Sequence, residues 1–90
     1  MVKEKLKERK KSEELHSEIK DLILYNDDFN TFEYVIETLI EVCGHEPEQA
    51  EQCALIAHFN GKCPVKSGPL YELKPVYEEM TVRELTVSID

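Results

Sequence analysis

No run of about 18 apolar residues occurs in these 90 residues, so the sequence offers no membrane-spanning helix. The N-terminus is basic but lacks the apolar stretch of a secretory signal. The thiols of Cys43, Cys53 and Cys63 are therefore expected to be reduced, in a cytoplasm. Their even spacing contains no C-x-x-C pair, and a metal-ligand pattern is missing. With only three glycines there is no glycine-rich phosphate loop. No nucleophile is paired with a base, because Ser12, Ser17, Ser67 and Ser88 fall in tail, turn or edge contexts. The chain reads as a protein without catalytic, cofactor or metal chemistry.

Positive charge is scarce where a fold can form. Seven of the eleven Lys and Arg residues lie in the first twenty positions, so residues 21–90 hold four basic against fourteen acidic side chains, a net of −10. A body that acidic repels phosphate backbones, which excludes non-specific nucleic-acid binding. It suits cationic partners instead, including the free amino group of a peptide.

What is present is one small domain behind a tail. Residues 1–17 are almost entirely Lys, Glu, Arg and Ser and read as a flexible, solvated arm. The core domain spans residues 18–90. Its first element, I-K-D-L-I-L-Y over Ile19–Tyr25, ends in four apolar residues and reads as a strand buried on both faces; Asn26-Asp27-Asp28 stops it. A helix follows, with Asn30 expected as N-cap and Glu33 completing an approximate capping box. Phe32, Val35, Ile36, Leu39, Ile40 and Cys43 form one apolar stripe, and Gly44 closes the helix.

A second helix starts at Pro47 and ends at Asn60-Gly61. Ala50, Cys53, Ala54, Ala57 and His58 share a face, with Leu55, Ile56 and Phe59 widening the apolar arc. The alanines let another element, or a ligand, approach the backbone closely. Residues 62–66 read as a short strand that Pro64 assigns to an edge or bulge, and Ser67-Gly68-Pro69 as a turn. Residues 70–81 read as a third helix containing Pro75, and Leu85, Val87 and Ile89 alternate as a last strand. The order β-α-α-β-α-β predicts a small α+β sandwich, a three-stranded antiparallel sheet packed against helices.

Three segments stand together in order: Asn26-Asp27-Asp28-Phe29, Phe32-Glu33-Tyr34-Val35, and Ala57-His58-Phe59-Asn60-Gly61. In this arrangement the chain resembles the ClpS family, adaptors that hand N-degron substrates to Clp-type AAA+ unfoldases. The resemblance runs without a gap over residues 19–62 and more loosely beyond. Phe32 stands where the family commonly has Met, and Ala54 where it has a larger apolar residue. The stretch after Gly61 is also shorter than usual.

The resemblance implies acceptors for a peptide's α-amino group at Asn26, Asp27 and His58; Asp28 reads as structural, capping or turn-forming. It further implies a hydrophobic pocket of Asn30, Phe32, Val35, Ala54, Ala57 and Leu85. The chemistry agrees, since an amide oxygen, a carboxylate and a neutral imidazole all accept hydrogen bonds. Glu72 and Lys74 match an E-x-K on the family's third helix, a surface implicated in docking to the unfoldase N-domain. The family's N-terminal extension is needed for delivery rather than for holding the degron. The implied function is an adaptor for proteins beginning with Leu, Phe, Tyr or Trp, working with a ClpA- or ClpC-like unfoldase. Two alternatives stand beside it. One is a regulator that docks on the unfoldase without binding N-degrons. The other is a small thiol or metal protein using Cys43, His45 and Cys53.

Overall fold

A computed structural model describes residues 18–90, so the arm at residues 1–17 lies outside the described residues. The elements are β1 (Ile19–Tyr25), α1 (Phe32–Cys43), α2 (Pro47–Asn60), β2 (Lys62–Pro69), α3 (Leu70–Val82) and β3 (Val87–Ile89). β1 is the middle of an antiparallel sheet in the order β2-β1-β3. The expected α+β layering of three strands and three helices is the observed one.

Alternation along β1 sends Leu22 and Leu24 to one face and Ile23 to the other, and all three are buried. The helices cover the face of Leu22 and Leu24. There Leu39 and Cys43 of α1, Ala50 and Ala57 of α2, and Leu73 and Met80 of α3 close the core with Cys63 and Val65 of β2. The Tyr25 hydroxyl and Ser88 Oγ, 2.9 Å apart, tie β1 to β3 on the side away from β2.

α1 starts one residue later than its capping signal suggested. Thr31 is the N-cap, with Oγ1 accepting the Tyr34 N–H at 3.1 Å. Asn30 does not cap: its Oδ1 accepts no helix N–H among the described residues, while its amide hydrogens go to Asp27 and the Glu84 carbonyl. Gly44 ends α1 at φ 73°, a left-handed conformation that suits glycine. α2 begins at Pro47 as expected and buries Ala50, Ala54 and Ala57. Leu55, Ile56 and Phe59, which widen the apolar arc in the sequence, are 40%, 41% and 76% exposed.

β2 runs beyond residue 66. Ser67, Gly68 and Pro69 continue the ladder opposite Asp21, Lys20 and Ile19 instead of turning, and the chain enters α3 directly at Leu70. The pairing jumps from Lys66 to Pro64, so Val65 is passed over in a bulge on this edge strand. His45, buried between α1 and α2, donates Nε2–H to the Val65 carbonyl at 2.6 Å and satisfies the acceptor at this irregularity.

Pro75 lies inside α3. Beyond it, Leu85 is not part of the last strand. Glu84 adopts φ 67°, the Leu85 N–H bonds to the Met80 carbonyl at 3.0 Å, and the side chain drops into the core at 4% exposed. Arg83, beside this turn, is paired with Glu41 of α1 and Glu79 of α3.

Cys43, His45 and Cys53 do not assemble a metal centre; among the described residues no group of three or more His, Cys, Asp or Glu side chains is placed to hold an ion. Burial pushes the Cys43 and Cys63 thiols up to about 11, which leaves both protonated and unreactive near neutrality. No described helix is long and apolar enough to cross a membrane.

Candidate functional site

The end of β1 and the last turn of α2 are pinned together through backbone groups. The Asn26 N–H donates to the Gly61 carbonyl at 2.9 Å, and the Gly61 N–H donates to the Ala57 carbonyl at the same distance. Gly61 holds this position at φ 93°, where a side chain would strain the backbone. The pin sets Asn26 beside the turn that carries His58. α1 closes the third side.

Between these elements lies a cavity of about 380 Å³. Leu24, Phe32, Val35, Ala54, Leu55 and Ala57 give it apolar walls. Ala54 and Ala57 end at Cβ, so α2 leaves the interior open where larger residues would fill it. The polar lining comes from Asn26, Asp27, Asp28, Asn30 and His58, with Tyr25 and Phe59 alongside. Eight of the nine residues expected at the α-amino site or in the pocket line this one cavity. Leu85 does not: the left-handed turn at Glu84 commits it to the core instead. Glu72 and Lys74 are exposed on α3, outside the lining.

Asp27 organises the rim. Its Oδ1 accepts the backbone N–H of Phe29 at 2.9 Å and of Asn30 at 2.7 Å, and its Oδ2 accepts from Asn30 Nδ2 at 2.9 Å. Partial burial pushes the carboxyl up, but the bonds from the Asn30 backbone, the Asn30 side chain and the Phe29 backbone outweigh it. The group is held below its ordinary value of 3.8. Asp27 is therefore a fixed negative charge with capacity for about one further donor. The turn-forming role expected of Asp28 belongs to Asp27; the Asp28 side chain makes no hydrogen bond among the described residues and faces the cavity.

Asn26 and His58 have exposed side chains with no hydrogen-bond partner among the described residues, so both are open to a ligand. The His58 ring meets Phe59 edge-on, with centroids 5.0 Å apart at 79°. Leu24, Tyr25, Asp28, Leu55 and Phe59 were not expected at the site. The signal for Leu24 and Tyr25 was their place at the end of the strand that stops at Asn26. For Leu55 and Phe59 it was adjacency to Ala54 and His58 on a short-side-chained helix. The assembled site can hold a group that is cationic at one end and apolar at the other.

The family model of the ATP-dependent Clp protease adaptor protein ClpS matches residues 9–85. The chain is 34% identical over 65 residues to the ATP-dependent Clp protease adapter protein ClpS of Sodalis glossinidius, covering 70% of this chain and 61% of that protein. It is 35% identical over 65 residues to that of Serratia proteamaculans, with the same coverage. The matched portion thus spans about three-fifths of the length of these relatives. Among solved structures, Agrobacterium tumefaciens ClpS2 bound to L-phenylalaninamide superposes with a TM-score of 0.75 at 20% identity. That alignment covers 80% of this chain and 94% of the other, and it establishes the shared fold. A family match over most of the chain, on a fold whose cavity gathers the residues that carry the resemblance, establishes that this chain belongs to the ClpS family of Clp protease adaptor proteins.

Proposed function

We propose that this protein is a non-catalytic adaptor that binds the N-terminus of proteins beginning with Leu, Phe, Tyr or Trp and delivers them to a Clp-type AAA+ unfoldase. The observation that carries the reading is the cavity itself, apolar inside and lined at one side by the unpartnered Asn26 and His58 side chains and by an Asp27 carboxylate with room for one further donor. A first residue brings an α-ammonium group and an apolar side chain on one carbon, which is the pairing this site complements. Asn26 Oδ1, Asp27 Oδ2 and a His58 ring nitrogen receive the three N–H donors. A hydrogen bond to a charged group contributes about 1.5–3 kcal/mol net, so two or three suffice for sharp selection. The surrounding acidic body favours approach of a cationic terminus.

The ClpS2 neighbour is described as bound to L-phenylalaninamide, which carries a free α-amino group and a benzyl side chain, and this supports the same ligand class here. The partner is the N-domain of a ClpA- or ClpC-like unfoldase, engaged through the exposed α3 residues Glu72 and Lys74. The test is reconstituted degradation by such an unfoldase with its peptidase. A reporter beginning with Phe should be degraded faster when this protein is added, while one beginning with Gly should not. Equal stimulation of both reporters, or none, overturns the proposal.

A further inference from the structure

Asn30 lines the cavity with its amide nitrogen fully engaged. One hydrogen goes to Asp27 Oδ2 and the other to the Glu84 carbonyl, both at 2.9 Å. A primary amide has two N–H donors and one carbonyl acceptor. These two bonds fix the orientation of the amide and leave Oδ1 as the only polar side-chain atom Asn30 can offer a ligand. Oδ1 has no partner among the described residues.

The clamp is anchored at both ends. Asp27 is held by two backbone N–H groups. Glu84 sits in a turn closed by its own N–H to the Thr81 carbonyl at 2.9 Å, and the Tyr34 hydroxyl donates to the neighbouring Arg83 carbonyl at 3.0 Å. Oδ1 is thus a preorganised acceptor on a residue that shares the lining of this cavity with the apolar Phe32, Val35, Ala54 and Ala57. A wholly hydrocarbon side chain filling the cavity strips water from Oδ1 and returns nothing. An aromatic ring with its own N–H or O–H replaces that water. This is the situation in which a single unmet hydrogen bond discriminates between ligands of nearly equal size.

We propose that Asn30 Oδ1 is a specificity-determining acceptor that makes the cavity prefer an N-terminal residue whose ring carries a hydrogen-bond donor, Trp and Tyr, over Phe and Leu. This rests on the reading of the cavity as the seat of a peptide's first side chain. α2 contributes only Cβ atoms at Ala54 and Ala57, which leaves the breadth an indole requires.

The experiment compares peptides identical beyond their first residue, measured by calorimetry on the full chain. The decisive pair begins with Trp and with 3-benzothienylalanine, which keeps the bicyclic shape and replaces the N–H by sulfur. Trp should bind about 5- to 20-fold more tightly, and Tyr should exceed Phe in the same direction. In Asn30→Ala both ratios should fall to about one; if that variant does not fold, the wild-type pair decides alone. Trp and its isostere binding within twofold on the wild type, or a preference surviving in Asn30→Ala, overturns the inference. If binding still requires a free amino group in that case, the adaptor reading stands and only the role of Asn30 falls.

Discussion

Replacing Asp27 by Asn separates its two roles. The amide oxygen of Asn can still accept the N–H groups of Phe29 and Asn30, so the turn over residues 27–30 keeps its two backbone bonds. On the other side, Oδ2 becomes an NH₂ facing the Asn30 NH₂, and one hydrogen bond at 2.9 Å turns into a donor–donor contact. The rim is half exposed, so water relieves part of this, and the cost to folding should be about 1 kcal/mol. The effect on a bound ammonium group is larger, because the only carboxylate of the three acceptors disappears. Losing a charge-assisted hydrogen bond of about 1.5–3 kcal/mol weakens the binding of a Phe-initiated peptide roughly 10- to 150-fold.

Urea unfolding followed by circular dichroism gives the first quantity and fluorescence anisotropy of a labelled peptide the second. The pH dependence adds a check of sign. The Asp27 carboxyl is depressed below 3.8, so its contribution to stability is complete above that value and is lost as pH falls through its folded value. The stability gap between wild type and Asp27→Asn should therefore close below about pH 4. Peptide affinity within twofold of wild type in the folded variant would refute the assignment of Asp27 to the ammonium site.

Other substitutions probe the remaining parts. Ala54→Met fills the α2 wall, and overpacking of about 1–3 kcal/mol should weaken Trp and Tyr peptides more than Leu; equal loss for all of them, with circular dichroism unchanged, removes Ala54 from the wall. His45→Ala leaves the Val65 carbonyl buried and unpaired, which should lower stability by about 1–3 kcal/mol in urea titration while peptide affinity stays put. Deleting residues 1–15 should leave peptide affinity within about 0.5 kcal/mol, yet stop degradation of a Phe-initiated reporter; full-rate turnover would show that the arm is dispensable for delivery.

Elements governed by local pattern were legible in the sequence. The apolar run of β1, the α1 stripe from Val35 to Cys43 and the proline and glycine bounding α2 were placed correctly, because periodicity and capping decide them. What depended on contacts far along the chain was not. Asn30 looks like an N-cap, but Thr31 takes that role and the Asn30 amide instead ties the rim to the Glu84 carbonyl on a distant turn. Ser67-Gly68-Pro69 has turn composition, but the free edge of β1 extends the ladder over it. Leu85 fits an alternating strand, yet one left-handed residue at Glu84 moves it into the core. At the site, eight of the nine residues that the resemblance named share one cavity, and residues that line it through adjacency, Phe59 and Leu55 among them, were not named. Asp28 reads as a structural residue of the turn, yet the two backbone donors there reach back to Asp27.

The central claim is that the cavity reads a free, charged N-terminus, and the most direct measurement is the affinity of one Phe-initiated peptide with and without an Nα-acetyl group. Acetylation removes the positive charge and two of the three donors while leaving the benzyl side chain unchanged. The account predicts a loss of roughly 10²-fold or more on acetylation. The unmodified peptide should also bind more weakly above about pH 8, where the α-amino group loses its proton. Equal affinity of the two peptides would contradict the account, because the cavity would then bind the side chain without reading the terminus.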